Sequence, residues 1–123
     1  MPTARFRLSR PAQADLARVL AISAERWGIE TRRRYAALLA MAMRTVAADP
    51  DGPTTRSRAE LAPGLRSFHI RHARADDPGA KVRRAAHILY YRAIAPELIE
   101  IVRVLHERMD PALHLRERTE DKD

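Results

Sequence analysis

The chain has 123 residues, of which 46% are apolar and 32% charged, and this length suits one domain and leaves no room for a second. The absence of cysteine excludes disulfide bonds, thiolate nucleophiles and cysteine-type zinc sites. The formal net charge of +7 favours an acidic partner, either nucleic acid or an acidic protein surface, although an Arg-rich surface that only contacts water is the alternative.

The first residues give no sign of export. Residues 1–8 lack the apolar run and small-residue cleavage site of a secretion signal. No later stretch approaches the roughly 20 apolar residues of a membrane span. We therefore expect a cytoplasmic protein that does not associate with membranes.

A strand and a helix are predicted at the start of the chain. Residues 4–8 place Phe6 and Leu8 on one side and two arginines on the other, which is the pattern of a half-buried strand. Ser9 can cap the helix that follows, and Pro11 is tolerated in its first turn. Residues spaced by three and four then predict one buried stripe: Ala12, Leu16, Val19, Leu20, Ser23 and Trp27.

A second helix is predicted over residues 30–48, after Gly28 ends the first with a left-handed cap. Its expected inner face consists of Tyr35, Leu38, Leu39, Ala42 and Val46. The short connection predicts that the two helices form an antiparallel hairpin.

The second half of the chain predicts strands. A loop rich in proline covers 49–64, and apolar, β-branched or aromatic runs predict strands at 65–72, 86–94 and 98–106. Pro96 and Glu97 predict a tight turn between the last two strands.

Two polar segments lie outside these strands. Residues 73–85 form a basic insert that we expect to be an extended, solvent-exposed loop. Asp110 is expected to cap a short helical turn that begins at Pro111. Residues 116–123 carry mixed charges without an apolar anchor, so we expect a frayed tail after a single domain at 1–115.

The order strand, helix, helix, strand, strand, strand predicts an α+β fold. In it, an N-terminal strand is followed by an antiparallel helical hairpin that packs on a small antiparallel sheet. Such a domain has a thin core, so its stability is modest and a bound partner adds to it.

Four segments in this order resemble ParE-type toxins of the RelE/ParE superfamily, also known as plasmid stabilisation system proteins. LSRPAQADLARVLAISAERWG is similar to their opening strand and helix, and PGLRSF is similar to the entry to their second strand. ILYYR resembles their third strand, and IEIVRVLHERMDPALHL resembles their last strand and C-terminal signature. The resemblance spans about residues 6–115, and the insert at 73–85 departs from it.

The resemblance implies the toxin of a type II toxin–antitoxin pair. Such a toxin inhibits DNA gyrase without being an enzyme and needs no cofactor or metal. A ParD-like antitoxin neutralises it by folding a disordered tail across it, and the complex reaches DNA only through the antitoxin. A basic, partly apolar surface beside a helical hairpin suits such an acidic tail.

Candidate residues for binding the antitoxin or the target follow from charge and from the resemblance. They are Arg71, Arg74, Lys81, Arg83, Arg84, Arg92, His106, Met109 and Asp110. The basic group lacks interleaved aromatic residues for stacking on bases, and a solvated loop is its alternative interpretation. By resemblance alone, residues 109–115 determine toxicity.

A RelE-like, ribosome-dependent mRNA endonuclease is the main alternative function. It needs a general base, a general acid and cations for the phosphate. Arg71, Arg92 and Arg103 are candidates for the phosphate, and His87, Tyr91 and His106 for proton transfer.

These candidates do not form an evident site in the sequence. They alternate between sheet faces, and Tyr91 and Arg92 must point in opposite directions. The RelE pattern of an arginine followed closely by a catalytic tyrosine is also missing. If the protein is a nuclease, His87, Arg92 and His106 are the residues to test; a toxin that retains only antitoxin binding is a third possibility.

The remaining histidines suggest structural roles. His69 and His72 are three residues apart on a predicted strand, so they face opposite ways and do not predict a metal site. His106, at a strand end, is expected to form a hydrogen bond with the turn at Asp110.

Overall fold

The computed structural model describes the backbone of residues 4–73 and 84–120. Its elements, in chain order, are β1 (Arg5–Leu8), α1 (Arg10–Trp27), α2 (Ile29–Ala48), β2 (Arg56–Ser57), β3 (Arg66–His69), a 3-10 turn (Ile70–His72), β4 (His87–Ala95), β5 (Leu98–His106) and α3 (Pro111–Glu120). The predicted α+β class is confirmed.

The sheet has five strands in the order β1-β5-β4-β3-β2. The pairs β2–β3, β3–β4 and β4–β5 are antiparallel, whereas β1 runs parallel to β5. The predicted antiparallel pairing therefore holds for β2–β5, whereas β1 adds a parallel pair that makes the sheet mixed. Two helices and three strands separate β1 from β5, which is more than enough chain for a parallel crossover, and strand periodicity does not record the direction of pairing.

The hairpin begins and turns as its local signals predict. The Ser9 hydroxyl accepts a hydrogen bond from the Ala12 N–H at 3.1 Å. Gly28 alone separates the two helices, with φ 92° and ψ 172°. These dihedral angles are strained for residues other than glycine, so a glycine at this position permits the chain to reverse its direction.

One face of the sheet packs against the hairpin. The buried cluster draws mainly on α2 and on the three central strands. Its larger members are Tyr35, Leu39, Met43, Val46, Phe68, Ile70, Leu89, Tyr91, Ile99, Ile101 and Val104. From α1, Ala12 is fully buried, and Leu16, Val19 and Leu20 are partly buried against the cluster.

Trp27 does not belong to this core, contrary to the predicted stripe. Its exposed fraction is 53%. It is the last residue of α1 and lies at the turn of the hairpin. Helical spacing alone cannot show where the surface that a helix packs against comes to an end.

The other face of the sheet carries a smaller apolar cluster. Leu65, Tyr90, Val102 and Leu105 pack there with Leu115 of α3. The helix α3 spans ten residues and is longer than the predicted turn. Strand β5 is consequently buried on both faces between its first and last residues.

Two further differences concern the middle of the chain. The predicted strand at 65–72 ends at His69, where the chain enters the 3-10 turn, and β2 lies within the predicted loop at 49–64. The tight turn at Pro96 and Glu97 is confirmed by the pairing of Ala95 with Leu98. None of the helices in the described part of the chain is long and apolar enough to cross a membrane.

Candidate functional site

A group of aromatic and acidic side chains lies at the end of the sheet where β4 begins and β5 ends. His87 and His106 are register partners, and their ring centroids are 5.3 Å apart in an edge-to-face arrangement. Tyr35 of α2 approaches from the hairpin, with its hydroxyl oxygen 2.6 Å from His87 Nδ1. Of the three residues to test in a nuclease, His87, Arg92 and His106, the two histidines are thus brought together.

The hydrogen bonds of Tyr35 favour one tautomer of His87. The Ala86 N–H donates to the Tyr35 hydroxyl oxygen at 3.1 Å, so the hydroxyl hydrogen is available for His87 Nδ1. Nδ1 is then an acceptor, and the neutral ring carries its proton on Nε2.

The two neighbouring histidines repeat this arrangement. His106 Nδ1 accepts a hydrogen bond from the Arg108 N–H, and His69 Nδ1 accepts one from the Arg71 N–H, both at 3.1 Å. His69 Nε2 lies 2.7 Å from a carboxylate oxygen of Glu107. In their neutral forms, the three imidazoles therefore have each Nδ1 lone pair engaged by a protein donor.

Burial controls the charge of His87. It lowers the pKa of this imidazole to about 4, and repulsion from His106 and His69 acts in the same direction. Burial also raises the pKa of the Tyr35 hydroxyl. At neutral pH this pair is accordingly an uncharged hydrogen-bonded unit.

Arg92 lies far from the histidines. It is five residues beyond His87 on β4, or about 17 Å along an extended strand. Its Nη2 lies 3.3 Å from Glu100 Oε1, and Arg7 Nε lies 3.5 Å from the other oxygen of that buried carboxylate. Arg92 is thus separated along β4 from His87 and His106, the other two residues to test in a nuclease.

Two other nuclease candidates serve the fold. The Tyr91 hydroxyl donates to the carbonyl of Pro50, and the side chain is fully buried. The Arg103 guanidinium is bound to Asp15 and also donates to the His114 carbonyl at 2.9 Å. Buried groups with these partners are poorly placed to contact a substrate.

The C-terminal segment exposes apolar side chains on a fixed base. Met109 and Leu113 are 43% and 52% exposed. Asp110 caps α3 by accepting a hydrogen bond from the Ala112 N–H at 3.0 Å, whereas Leu115 is buried in the second cluster. The predicted hydrogen bond of His106 with the turn at Asp110 is confirmed, because His106 Nδ1 accepts the Arg108 N–H within this turn.

The basic candidates are described only in part. Arg71 and Arg84 are exposed, and the positive charge of Arg84 contributes to lowering the pKa of Glu107, after the larger effect of the His69 hydrogen bond. Arg74, Lys81 and Arg83 lie outside the described residues. Within the described ranges, no three histidine, aspartate or glutamate side chains are arranged to hold a metal ion.

Sequence reasoning missed the meeting of His87 and His106 although a signal existed. His87 lies eight residues before Ala95, and His106 lies eight residues after Leu98. Counting outward from the predicted turn at Pro96 and Glu97 pairs them directly. The contact with Tyr35 had no such signal, because it depends on how the hairpin packs on the sheet.

Comparison with known proteins adds a family. A profile described as "ParE toxin of type II toxin-antitoxin system, parDE" matches residues 6–111. The chain is similar to "Toxin ParE1" of Mycobacterium tuberculosis, with 32% identity over 108 residues that cover 88% of this chain and 94% of the relative. It is also similar to "Toxin ParE1" of Caulobacter vibrioides, with 31% identity over 110 residues, or 89% and 96% of the two chains.

A solved structure has the same fold. It is described as "Chromosomal ParDE TA system from P. aeruginosa" and superposes with a TM-score of 0.62 over 85% of this chain and 96% of that one. The sequence identity of 16% makes this a likeness of fold.

Proposed function

The chain belongs to the ParE toxin family of type II toxin–antitoxin systems, and from this we propose that it inhibits DNA gyrase in the cytoplasm by binding it rather than by catalysis. A ParD-like antitoxin would bind the toxin and neutralise it. Contact with DNA would be indirect, through the antitoxin complex.

The observation that carries the non-enzymatic proposal is the hydrogen bonding of the histidines. A general base needs a free lone pair within reach of the proton that it removes. In neutral His69 and His106 the Nδ1 lone pair already accepts a backbone N–H, and the Tyr35 hydroxyl is placed to donate to that of His87. The remaining nitrogens are then donors, which suits binding and positioning better than proton abstraction.

The position of Arg92 gives independent support. Cleavage of a phosphodiester requires a cation at the developing charge and beside the acid and base. Arg92 contacts Glu100 about 17 Å along β4 from His87, on the arithmetic of an extended strand. The set His87, Arg92 and His106 therefore lacks the convergence that catalysis needs.

The C-terminal segment is the surface that we propose for the target. Met109 and Leu113 expose apolar area. The hydrogen bond of Asp110 with the Ala112 N–H and the burial of Leu115 hold the start of α3 in place. Exposed apolar side chains on a rigid base are suited to binding, because less side-chain and backbone freedom is lost on contact.

A paired assay tests the proposal. Purified toxin is added to a gyrase supercoiling and DNA-cleavage assay and, separately, to a programmed ribosome assay that reports mRNA cleavage. We expect gyrase inhibition with intact mRNA. Loss of inhibition by at least tenfold is expected for Met109→Ser combined with Leu113→Ser, whereas the exposed-site control Ala37→Ser stays within twofold of wild type.

Other outcomes have distinct meanings. Cleaved mRNA with unaffected gyrase would replace the proposal with a RelE-like nuclease. Inactivity in both assays, from folded toxin that still binds its antitoxin, would indicate a chain that retains only antitoxin binding.

A further inference from the structure

The turn of the helical hairpin exposes three large apolar side chains. Ile22 is 45% exposed, Trp27 53% and Ile29 73%. They lie within eight residues of one another on either side of Gly28. In the described part of the chain the other exposed large apolar residues are Met109 and Leu113, so the exposed apolar side chains fall in two places.

The apolar side chains of the turn are bordered by arginines. Arg26 follows Ile22 by four residues on α1, and Arg33 follows Ile29 by four residues on α2, so each arginine lies on the same helical face as its isoleucine. Arg32 lies beside Arg33, and all three arginines are exposed. We call Ile22, Arg26, Trp27, Ile29, Arg32 and Arg33 the hairpin tip.

Few acidic groups offset this charge. Glu30 is 3.0 Å from Arg33 and neutralises part of it, and both side chains are well exposed, so water weakens their attraction. Glu25 is the other carboxylate between Ile22 and Arg34. The tip therefore keeps an excess of positive charge around its apolar centre.

We propose that the hairpin tip binds an acidic, amphipathic helix of the antitoxin, with Trp27 as the central apolar anchor. This inference rests on the proposed function, because it assumes that an antitoxin binds at all. Apolar side chains of the partner would cover Trp27 and Ile29, while its aspartates and glutamates would meet the arginines. A large, exposed tryptophan bordered by arginines is typical of the residues that dominate protein interfaces.

A second copy of the chain suits this surface poorly. Two tips of the same positive charge repel one another, and the net charge of +7 adds to that repulsion. Three apolar side chains also fall short of the roughly 800 Å² per partner of a stable interface. A helix of opposite charge is favoured at the same tip and can continue along the hairpin beyond it.

An anionic membrane also attracts basic and apolar side chains, so the experiment includes it. A helix that lies in a membrane interface presents an apolar face along its whole length. Here α2 has Tyr35, Leu39, Ala42, Met43 and Val46 buried in the domain. On the helical hairpin, the large exposed apolar side chains that a membrane could contact are those of the tip.

The single tryptophan of the chain allows a direct test. Toxin labelled with 5-fluorotryptophan gives one ¹⁹F resonance, which reports on Trp27 alone. It is titrated with a purified ParD-like antitoxin and, separately, with vesicles of phosphatidylglycerol. We expect the antitoxin to shift the resonance and shield it from solvent, and the vesicles to leave it unchanged at physiological salt.

Variants locate the contact. Ile29→Ser and Arg32→Glu are each expected to weaken antitoxin binding at least tenfold, while the matched controls Ala37→Ser and Arg44→Glu stay within twofold. Ile29 and Arg32 are exposed, so both variants should unfold at nearly the same temperature as wild type. Trp27→Ala is a third variant. The charge effect should shrink as salt rises.

The outcomes separate the two proposals. An antitoxin that binds wild-type toxin but leaves the ¹⁹F signal and the tip variants unchanged would overturn the tip and spare the proposed function. A resonance shifted by vesicles but not by bound antitoxin would make the tip a membrane contact. An antitoxin that does not bind folded toxin would contradict the proposed function itself.

Discussion

Asp15 of α1 and Arg103 of β5 form a buried ion pair with two hydrogen bonds, Nε to Oδ2 at 2.7 Å and Nη2 to Oδ1 at 2.9 Å. The pair closes the edge of the sheet where β1 ends. Strand β1 covers β5 only as far as Ile101, and beyond it Asp15 accepts the Val104 N–H at 3.0 Å. Ser9 donates to the Val102 carbonyl at 2.7 Å, so the start of α1 satisfies backbone groups that a further strand would otherwise pair.

Asp15→Ala should therefore destabilise the domain strongly. It leaves the Arg103 guanidinium buried without its carboxylate and the Val104 N–H without its acceptor. Breaking a buried pair in this way costs about 3–5 kcal/mol. Urea unfolding should show it, while Glu30→Ala, which breaks the exposed pair with Arg33, should change stability by less than about 1 kcal/mol. Equal effects from the two substitutions would argue against a structural role for Asp15.

The buried imidazole of His87 should make stability depend on pH. Its pKa is about 4 in the folded protein and near 6.5 in the unfolded chain, so the unfolded state binds more protons between these values. The contribution of the neutral His87 ring to the free energy of unfolding is therefore fully present above about pH 6.5 and is lost as the pH falls toward 4. Because the ring is only partly buried, we expect a loss of about 1–2 kcal/mol, less than the full shift would give.

The variant His87→Gln should flatten this dependence between pH 6.5 and 4. Other groups titrate in the same interval, so the informative quantity is the difference in slope from wild type. The exposed Ala37→Ser, which neither adds nor removes a titratable group, serves as the control and should keep the wild-type slope. An unchanged slope in His87→Gln would assign the pH dependence to other groups.

Gly28→Ala should cost about 1–3 kcal/mol, because its φ of 92° and ψ of 172° are almost confined to glycine. A Cβ at this position meets no atom within 4 Å, so the cost arises from the backbone rather than from a clash. Thermal unfolding gives the measurement. A variant as stable as wild type would show that the hairpin turn relaxes to another conformation.

Local features of the fold could be predicted from the sequence, whereas long-range ones could not. Ser9, Gly28 and the turn at Pro96 act on neighbouring residues, so their effects are visible in the sequence itself. The parallel pairing of β1 with β5 joins residues 93 positions apart, such as Arg5 and Leu98, and the pairing of Asp15 with Arg103 joins residues 88 positions apart. No periodicity encodes such contacts, so the sequence alone leaves Arg103 a candidate phosphate ligand, whereas the structure pairs it with Asp15.

The candidate site likewise combines one contact that the sequence could predict with another that it could not. The meeting of His87 and His106 follows from strand register, but the hydrogen bond of Tyr35 that favours one His87 tautomer depends on how α2 packs. Trp27 matched a buried stripe because helical spacing shows which residues share a face and not whether that face is covered. The helical pattern does not show that Trp27 is exposed, and this exposure is the basis for proposing that the hairpin tip binds a partner.

His106→Ala should reduce gyrase inhibition by a few fold rather than abolish it. His106 accepts the Arg108 N–H and, through its carbonyl, the Met109 N–H at 2.9 Å, so it fixes the turn that presents Met109. Removing the side chain loosens this turn and leaves the apolar contacts of Met109 and Leu113 available. Loss of a catalytic acid or base instead lowers a rate by about 10²–10⁴-fold. Dose–response curves in the supercoiling assay measure this loss, and the programmed ribosome assay tests catalysis: mRNA cleavage by wild type that falls a hundredfold or more in a fully folded His106→Ala variant would make His106 a catalytic residue.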